Sequence, residues 1–184
     1  ELFGRGVSHC ATCDGPIYTR EVVGVIGGGD SAADEAITLS AFAERVLVFH
    51  RREQLRAQKV LQDRLHENRK IEVVWNSTVE EVLGEGSVSG VRLRNVVTNL
   101  ENVVDLTGLF IYVGLEPNAE LVRGLVKLDN AGHIPVNISM ETSVPGLYAA
   151  GDIRQRSASQ LVSSAGDGAT AAIAAFGYVK SKEW

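Results

Sequence analysis

Two cysteines lie close together near the start of the chain, Cys10 and Cys13, within the run Cys-Ala-Thr-Cys-Asp, and the chain has no others. A lone pair cannot form the disulfide framework of a small secreted fold. It also supplies only two of the four ligands of a structural zinc, with His9 as the one nearby third candidate. A Cys-X-X-Cys pair exchanges disulfides readily, because neighbouring groups easily lower the pKa of its thiols. We therefore expect redox chemistry rather than metal binding.

The residue after the pair, Asp14, is a candidate acid. A carboxyl at this position can deliver a proton to the thiolate or to the leaving group of a partner disulfide. The alternative is a turn residue, since Gly15 and Pro16 follow.

A glycine-rich segment with the spacing Gly27-X-Gly29-X-X-Ala32 follows a β-branched run at residues 21–26. That run predicts a buried strand, and a helix is predicted after the segment. In this context the first glycine permits a tight turn and the second lets the backbone approach a pyrophosphate, while the small third residue packs the helix on the strand. The pattern predicts a dinucleotide site; the alternative is a tight strand-to-helix turn that binds nothing.

The predicted helix begins near Asp30 and Ser31, either of which is the expected N-cap. Its N-terminus offers free N–H groups and the positive end of its dipole to phosphates. We therefore count Asp30 and Ser31 among the residues of the nucleotide site.

The end of the second predicted strand indicates which nucleotide binds. An NAD site places an Asp or Glu there to accept the ribose hydroxyls. This chain instead has His50, Arg51 and Arg52, with Arg56 further along the next predicted helix, which Glu53 begins. Guanidinium groups bind a 2′-phosphate well, often through two hydrogen bonds. The interpretation is a site for NADP(H); the alternative is a solvated basic patch.

The two motifs together predict a third component. Hydride from a nicotinamide does not reduce disulfides quickly by itself, and a flavin is the usual intermediary because it accepts hydride and passes electrons to sulfur.

The order of predicted elements indicates an α/β fold, a Rossmann-like domain with a parallel sheet and right-handed crossovers, followed by an antiparallel β-meander. In chain order, the expected elements are strands over residues 21–26, 45–49 and 71–75, a helix over 53–68, the meander over 79–105 and a buried strand over 109–113 that ends at Gly114.

The chain is expected to leave this domain near residues 115–118. We predict a nucleotide-binding domain carrying the cysteine pair over residues 1–116 and a second domain over 117–184. The second domain contains an expected strand over 146–152 and a helix over 165–176 that is rich in Ala and Gly.

The 184-residue chain has a net charge of −5, with acidic and basic residues interspersed. This pattern argues against a nucleic-acid-binding surface and against adsorption to a membrane. No apolar run approaches the roughly 20 residues of a membrane helix, and no signal-peptide pattern is present, so we expect a cytoplasmic protein.

These motifs resemble, in their order, those of the low-molecular-weight bacterial thioredoxin reductases. The resemblance rests on Gly4-Arg5-Gly6-Val7-Ser8 before the cysteine pair, Gly27 to Ala32, His50-Arg51-Arg52 with Arg56, Ala149-Ala150-Gly151-Asp152, and Ala165-Gly166-Asp167-Gly168. It covers essentially the whole chain. It implies the fold of the pyridine-nucleotide-disulfide reductases, with residues 117–184 as the C-terminal part of an FAD domain, and a homodimer.

The resemblance also implies an electron path from NADPH to FAD, then to a Cys10–Cys13 disulfide, and then to thioredoxin or a similar small redox protein. Asp14 matches the acid of the family, and Gly114 would lie near the nicotinamide nucleotide.

The same resemblance implies a flavin site in the second domain. Asp152, which follows Gly151, would bind the sugar chain of the flavin, and Gln160 and Leu161 would contact the edge of its ring. The helix that contains Ala165 would point its N-terminus at the ring.

Two features depart from the family pattern. Ser159 stands where family members often have an arginine. The chain also has a single glycine fingerprint, whereas complete members begin with a further one that holds the ADP half of FAD. We therefore expect the leading half of the FAD domain to be missing from this chain.

Two other functions stay open. The same electron path can serve another acceptor, such as a peroxiredoxin-reducing partner or a glutaredoxin-like protein. Alternatively, the chain by itself is a non-catalytic NADP(H)-binding module.

Overall fold

Five parallel strands form the main sheet, in the order β1-β8-β2-β3-β4. The computed structural model describes residues 2–181, and this sheet lies in the first of two units, which divide between Gly114 and Leu115. The strands are β1 (Val7–Ser8), β2 (Val22–Gly27), β3 (Arg45–Phe49), β4 (Ile71–Val74) and β8 (Gly108–Tyr112). Because all five run the same way, the carboxyl ends of β2, β3 and β8 lie at one edge, where ligands of such sheets bind.

Helices connect these strands and cover one face of the sheet. They are α1 (Ala11–Asp14), a short 3₁₀ helix (Gly15–Tyr18), α2 (Asp30–Ser40) and α3 (Lys59–Glu67). Since α2 joins β2 to β3 and α3 joins β3 to β4, the predicted α/β fold with crossover helices is confirmed. Val46 and Val48 of β3 belong to the same buried cluster as Ala33 and Ala36 of α2.

A second, antiparallel sheet belongs to the same unit. Its strands are β5 (Ser77–Leu83), β6 (Gly90–Asn95) and β7 (Glu101–Asp105), which confirms the predicted meander. Leu47 and Phe49 of β3 share a buried cluster with Val91 and Leu93 of β6. Alternate residues of a strand point to opposite faces, so the five residues of β3 contribute to both cores.

The second unit, residues 115–181, has a smaller core. Its regular elements are two 3₁₀ helices (Glu120–Val122 and Gly151–Ile153) and the long helix α4 (Leu161–Ser181). The buried residues of its core cluster are Val126, Ile134 and Ala149. None of the helices within residues 2–181 is long and apolar enough to cross a membrane.

Three predicted elements differ from the structure. The helix expected over residues 53–68 begins only at Lys59, because the backbone N–H groups of Arg56 and Ala57 donate to the carbonyl of Gly28 instead of to a helical turn. The helix expected over residues 165–176 is longer and spans Leu161–Ser181.

The strand expected over residues 146–152 is absent from the described chain. A single bridge pairs Tyr148 with Glu141, and the segment is interrupted at both ends by glycines with a positive φ, +82° at Gly146 and +78° at Gly151. Such backbone leaves the extended region that a strand requires.

Candidate functional site

The cysteine pair forms a disulfide between Cys10 and Cys13. Cys10 is the N-cap of α1, and its sulfur accepts a hydrogen bond of 3.1 Å from the backbone N–H of Cys13. Cys13 is exposed and Cys10 is half-buried. Cys13 is therefore the more exposed residue of the disulfide, while Cys10 is held by its own segment.

Ser8 connects the disulfide segment to the candidate acid. Its hydroxyl donates to Asp14 Oδ2 at 2.6 Å and accepts from the backbone N–H of Cys10 at 3.1 Å. Ser8 itself is buried. The carboxylate of Asp14 is thus fixed at the end of α1 by a hydroxyl that also holds Cys10, so the structure brings the three predicted residues of the redox centre together.

Tyr112, the last residue of β8, also holds the segment that carries the disulfide. Its hydroxyl accepts from the backbone N–H of Ala11 at 2.8 Å and interacts with the carboxylate of Glu35 on α2. Burial raises the pKa of Tyr112 well above the usual range of a phenol. Tyr112 therefore stays protonated and available as a hydrogen-bonding group at any working pH.

Only one of the two carboxylate oxygens of Glu35 has a hydrogen-bond partner in this arrangement. Within the described residues, its Oε2 atom is buried and has no hydrogen-bond partner. Burial raises the pKa of Glu35, and the neighbouring charge of Asp34 raises it further. The ionised form of the Glu35 carboxylate is therefore disfavoured. This carboxylate interacts with Tyr112, the residue whose hydroxyl holds the backbone of Ala11.

The fingerprint loop, residues 27–30, has the shape that the glycine spacing predicts. Gly27 has a φ of +156°, and a Cβ there would lie 2.5 Å from the Cβ of Ala32 and 2.6 Å from the carbonyl oxygen of Tyr112. A Cβ at Gly29, by contrast, would have no atom within 4 Å. Gly27 is required by packing inside the protein, whereas the space beside Gly29 is open for a ligand.

The start of α2 corrects the predicted cap. Gly29 is the N-cap, and no side chain caps the helix, so the assignment of Asp30 or Ser31 as N-cap is wrong. The carboxylate of Asp30 instead accepts from the backbone N–H of Gln58 at 2.7 Å and from its side-chain amide at 2.9 Å. These hydrogen bonds lower the pKa of Asp30.

A cavity of about 320 Å³ lies at the carboxyl ends of β2, β3 and β8. Its lining residues are Ile26, Gly27, Gly28, Phe49, His50, Arg51, Arg56, Ser77, Thr78, Val79, Tyr112 and Val113. Two of the predicted arginines, Arg51 and Arg56, lie at this cavity. Arg52 lies in an adjoining depression, which it shares with Arg56.

We call residues 50–58 the basic loop, and its structure differs from the prediction. Arg56 and Glu53 precede α3 rather than belonging to it. His50 is buried, and its two ring nitrogens lie 2.9 Å from the carbonyl oxygens of Gly27 and Gln54. The His50 ring therefore contacts protein carbonyls, whereas the side chains of Arg51, Arg52 and Arg56 are exposed.

The residues expected at a flavin lie in the second unit. Gly114, which was expected near the nicotinamide nucleotide, ends the first unit with a φ of +102°. Asp152 Oδ1 accepts weak hydrogen bonds from the hydroxyls of Ser157 at 3.4 Å and Ser164 at 3.3 Å. Gly151 and Asp152 form the 3₁₀ helix before α4, and Gln160 directly precedes α4.

The first turn of α4 lies earlier in the chain than predicted. The helix begins at Leu161, so Ala165 lies one turn inside it, and the N-terminus belongs to Leu161 rather than to the turn at Ala165. Gln160, Leu161 and Ala165 are all exposed.

Five residues that shape these sites were missed from the sequence: Ser8, Glu35, Tyr112, Arg154 and Asp167. Asp167 is buried and accepts from Arg154 Nε at 2.5 Å, from Arg154 Nη2 at 2.8 Å and from the backbone N–H of Gly151 at 3.1 Å. The sequence signal for Asp167 was a carboxylate within a predicted helix of small and apolar residues, where a charged side chain needs a partner. For Tyr112 the signal was a hydroxyl at the end of a buried strand.

Within residues 2–181, no group of three or more His, Cys, Asp or Glu side chains is placed to hold a metal ion. His9 Nδ1 instead donates to the carbonyl oxygen of Ile111 at 3.0 Å.

Comparison with known proteins places this geometry in a family. Residues 1–169 match the family described as pyridine nucleotide-disulphide oxidoreductase. The chain belongs to this family. Among curated proteins, the thioredoxin reductases of Listeria monocytogenes and Treponema pallidum are 44% and 45% identical to it, over 98% and 97% of the chain. The resemblance stated from the motifs is thereby confirmed.

Solved structures give the same result. The crystal structure of thioredoxin reductase from Streptococcus pyogenes matches 97% of the chain with a TM-score of 0.91 at 45% identity. That of Lactococcus lactis matches 98% with a TM-score of 0.69 at 41% identity. The chain spans 57% of the length of the Listeria relative and 58% of the Streptococcus structure.

Proposed function

We propose that this chain is part of an NADPH-dependent disulfide reductase of the thioredoxin reductase type. Electrons pass from NADPH through FAD to the Cys10–Cys13 disulfide and from there to thioredoxin. The observation that carries the proposal is Tyr112, which lines the cavity and whose hydroxyl also holds Ala11, next to Cys10. One residue thus joins the nucleotide cavity to the redox disulfide within one unit.

The choice of NADPH is supported by the arginines at the cavity. Arg51 and Arg56 line it at the carboxyl end of β3, where the ribose of a dinucleotide lies in folds of this kind. Gly29 leaves open space in front of the first turn of α2, which suits a pyrophosphate. We assign Gly27, Gly29, Asp30, Ser31, Ala32, His50, Arg51, Arg52, Arg56 and Gly114 to this nucleotide site.

The role of Asp14 is that of an acid for the thiol pair. Its carboxylate is held by Ser8 beside Cys10, which suits proton transfer to or from a sulfur when the disulfide opens. Cys13, the exposed member, is the sulfur that a partner reaches first.

The flavin site is proposed for the second unit, which we assign to residues 117–184 of an FAD domain, with residues 1–116 as the NADPH domain. Asp152 presents an exposed carboxylate next to Gly151, and Gln160, Leu161 and Ala165 present exposed polar and apolar groups at the start of α4. The carboxylate of Asp152 suits the hydroxyls of a flavin's sugar chain, and the groups at the start of α4 suit the edge of its ring. When bound, FAD accepts hydride from the nicotinamide and passes electrons to sulfur.

The acceptor and the assembly complete the proposal. Relatives with 44% and 45% identity carry the name thioredoxin reductase, which supports thioredoxin as the acceptor over another small redox protein. The resemblance extends the proposal to a homodimer that works in the cytoplasm.

An absorbance spectrum of the purified chain, recorded before and after NADPH is added, tests the proposal. Flavin bands that bleach with NADPH, followed by reduction of thioredoxin, support the whole proposed electron path. A colourless chain that binds NADPH tightly favours a non-catalytic NADP(H)-binding module instead. A chain that shows neither flavin bands nor NADPH binding contradicts the proposed function.

A further inference from the structure

The segment that carries the disulfide is attached to β8 on both sides of Cys10. Ser8, which lies before this cysteine, pairs with Phe110 of β8 in the parallel sheet. Ala11, which follows it, donates its backbone N–H to the hydroxyl of Tyr112 at 2.8 Å. The first attachment is made by the backbone, whereas the second depends on a side chain and can be removed by a substitution.

The attachment at Ala11 is buried. Ala11 itself is fully buried, so its backbone N–H needs a partner inside the protein. The carboxylate of Glu35 forms hydrogen bonds with both the hydroxyl of Tyr112 and the backbone N–H of Ala11. A phenol and a carboxylate, which come from β8 and α2, together satisfy the first N–H group of α1.

The turn that Ala11 begins is short. Helix α1 has four residues, and a single turn is not stable by its own hydrogen bonds, because its nucleation fixes several residues for one bond. Its start is held by Tyr112 and by Cys10 Sγ, which accepts from the backbone N–H of Cys13 at 3.1 Å. The Cys10–Cys13 disulfide closes the same turn.

Reduction removes one of these constraints. When the bond between the sulfurs breaks, both side chains and the turn between them gain freedom. A contact that keeps the turn in place brings the two thiols together, and so raises the effective concentration at which they form the bond again. The hydroxyl of Tyr112 is such a contact, and it therefore favours the disulfide over the dithiol.

We propose that Tyr112 is a positioning residue for the redox pair. Its hydroxyl, with Glu35 as the acceptor of the phenol proton, sets how readily the Cys10–Cys13 disulfide is reduced, and it acts through the backbone of Ala11. The inference rests on the proposed function, since it concerns the same disulfide. It gives a second role to a ring that lines the nucleotide cavity.

The first experiment equilibrates the full chain with mixtures of reduced and oxidised dithiothreitol, and counts free thiols by alkylation and mass spectrometry. In this exchange the S–S bond of the protein breaks, an S–S bond forms in dithiothreitol, and the two thiol protons of the reagent pass to the cysteine sulfurs. Tyr112→Phe keeps the ring and removes the hydroxyl. We expect the equilibrium constant for reduction to rise about threefold to tenfold, which makes the potential about 15–30 mV less negative.

Two variants serve as controls. Tyr18→Phe is matched, because the ring of Tyr18 packs on Phe110 of the same strand with centroids 5.4 Å apart. Glu35→Gln keeps an acceptor for the phenol proton and removes the charge. Each should change the equilibrium constant by less than about twofold.

The outcomes separate the inference from the proposed function. A wild-type constant in Tyr112→Phe overturns the inference. So does a shift in Glu35→Gln as large as that in Tyr112→Phe, because the charge rather than the hydrogen bond would then set the equilibrium. A wild-type disulfide that dithiothreitol does not reduce reversibly contradicts the proposed function itself.

A second measurement needs no variant and therefore does not depend on the folding of Tyr112→Phe. The exchange of the Ala11 amide proton with solvent is followed by NMR in the oxidised and in the reduced chain. The factor by which the hydrogen bond favours the disulfide is also the factor by which reduction favours opening of that bond, since coupling is reciprocal. We expect Ala11 to exchange about threefold to tenfold faster in the reduced chain. Equal exchange in the two chains overturns the inference.

Discussion

The fingerprint loop within residues 2–114 and the proposed flavin residues within residues 115–181 lie in opposite surroundings. In the first unit, Gly27, Gly28 and His50 are packed against one another, so the shape of the nucleotide site is set by contacts within that unit. In the second unit, the residues assigned to the flavin are exposed, with Leu161 89% exposed. A substitution at Gly27, Gly28 or His50 is therefore expected to change both local structure and ligand binding, whereas a substitution at the exposed flavin residues of the second unit should leave the local structure unchanged.

The largest expected effect is at the disulfide. Cys13→Ser removes the exposed sulfur, so NADPH-dependent reduction of a protein disulfide should fall to the background rate. The dissociation constant for NADPH should change by less than about twofold, because Cys13 is not among the residues that line the cavity. Stopped-flow reduction and calorimetry measure the two quantities. Retained reduction would mean that the pair is structural.

The next effect is at the basic loop. Arg51→Ala with Arg52→Ala should weaken NADPH about 100-fold and NADH less than about threefold, since hydrogen bonds to charged groups contribute about 1.5–3 kcal/mol each and only NADPH carries the 2′-phosphate. Arg64→Ala, at an exposed position of α3, is the control for loss of positive charge. Equal losses for NADPH and NADH would exclude the basic loop as the 2′-phosphate site.

Two adjacent glycines sharpen the comparison within the first unit. Gly28→Ala forces a Cβ onto His50 and should cost about 1–3 kcal/mol of unfolding free energy, as overpacking does. Gly29→Ala meets open space, so the free protein should keep its stability, while NADPH and NADH should both weaken by about tenfold or more because the methyl group occupies the pyrophosphate's place. Urea unfolding measures the stability of both variants, and calorimetry measures their affinities for NADPH and NADH. If Gly28→Ala is as stable as the wild type, the contact with His50 is not tight.

The sequence predicted the parts of the first unit that local patterns determine. The β-branched runs of β2 and β3 and the spacing of Gly27, Gly29 and Ala32 were sufficient, because strand burial and a tight turn follow from neighbouring residues. The antiparallel meander was predicted for the same reason.

What the sequence did not predict depends on contacts between distant residues. Residues 53–58 have helical composition but bond to Gly28, and Asp30 turns away from its helix to bond to Gln58. Tyr112 and Glu35 meet only because β8 lies beside β2 in the sheet. The start of α4 was misplaced because Leu161 and Val162 gave no cap signal.

A test of the second unit uses the buried pair Asp167 and Arg154. Asp167→Asn should lower hydrogen-exchange protection in residues 146–181 without changing the affinity for NADPH, because Arg154 loses its ionic partner. Hydrogen bonds from Arg154 lower the pKa of Asp167, so the stabilisation is present above the unfolded value of about 3.9 and is lost as the pH falls through the lower folded value.

The control for this pair is Glu120→Gln, which breaks an exposed ion pair of 2.8 Å with Arg123 and should have almost no effect. A change in NADPH affinity on Asp167→Asn would mean that the two units are not separable in this way.

The smallest effect is expected at Glu35, where the first unit carries its one partly unsatisfied buried carboxylate among the described residues. Burial and the charge of Asp34 raise the pKa of Glu35, so the folded state disfavours the ionised form. The contribution of this group to stability is present below the unfolded value of about 4.3 and is lost as the pH rises through the higher folded value. Glu35→Gln should therefore be more stable than the wild type near neutral pH and equal to it below about pH 4.

Urea unfolding at several pH values measures this difference, with Glu44→Gln, at an exposed position, as the control. The amide oxygen of the variant still accepts from Tyr112, so the hydrogen bond to Ala11 and the geometry of Cys10–Cys13 should persist, and only the charge is removed. A gain in stability that is the same at every pH would contradict the charge argument and point to packing instead. A loss at neutral pH would mean that the ionised carboxylate stabilises the disulfide segment, and that Glu35 belongs with Ser8 and Tyr112 among the residues that hold it.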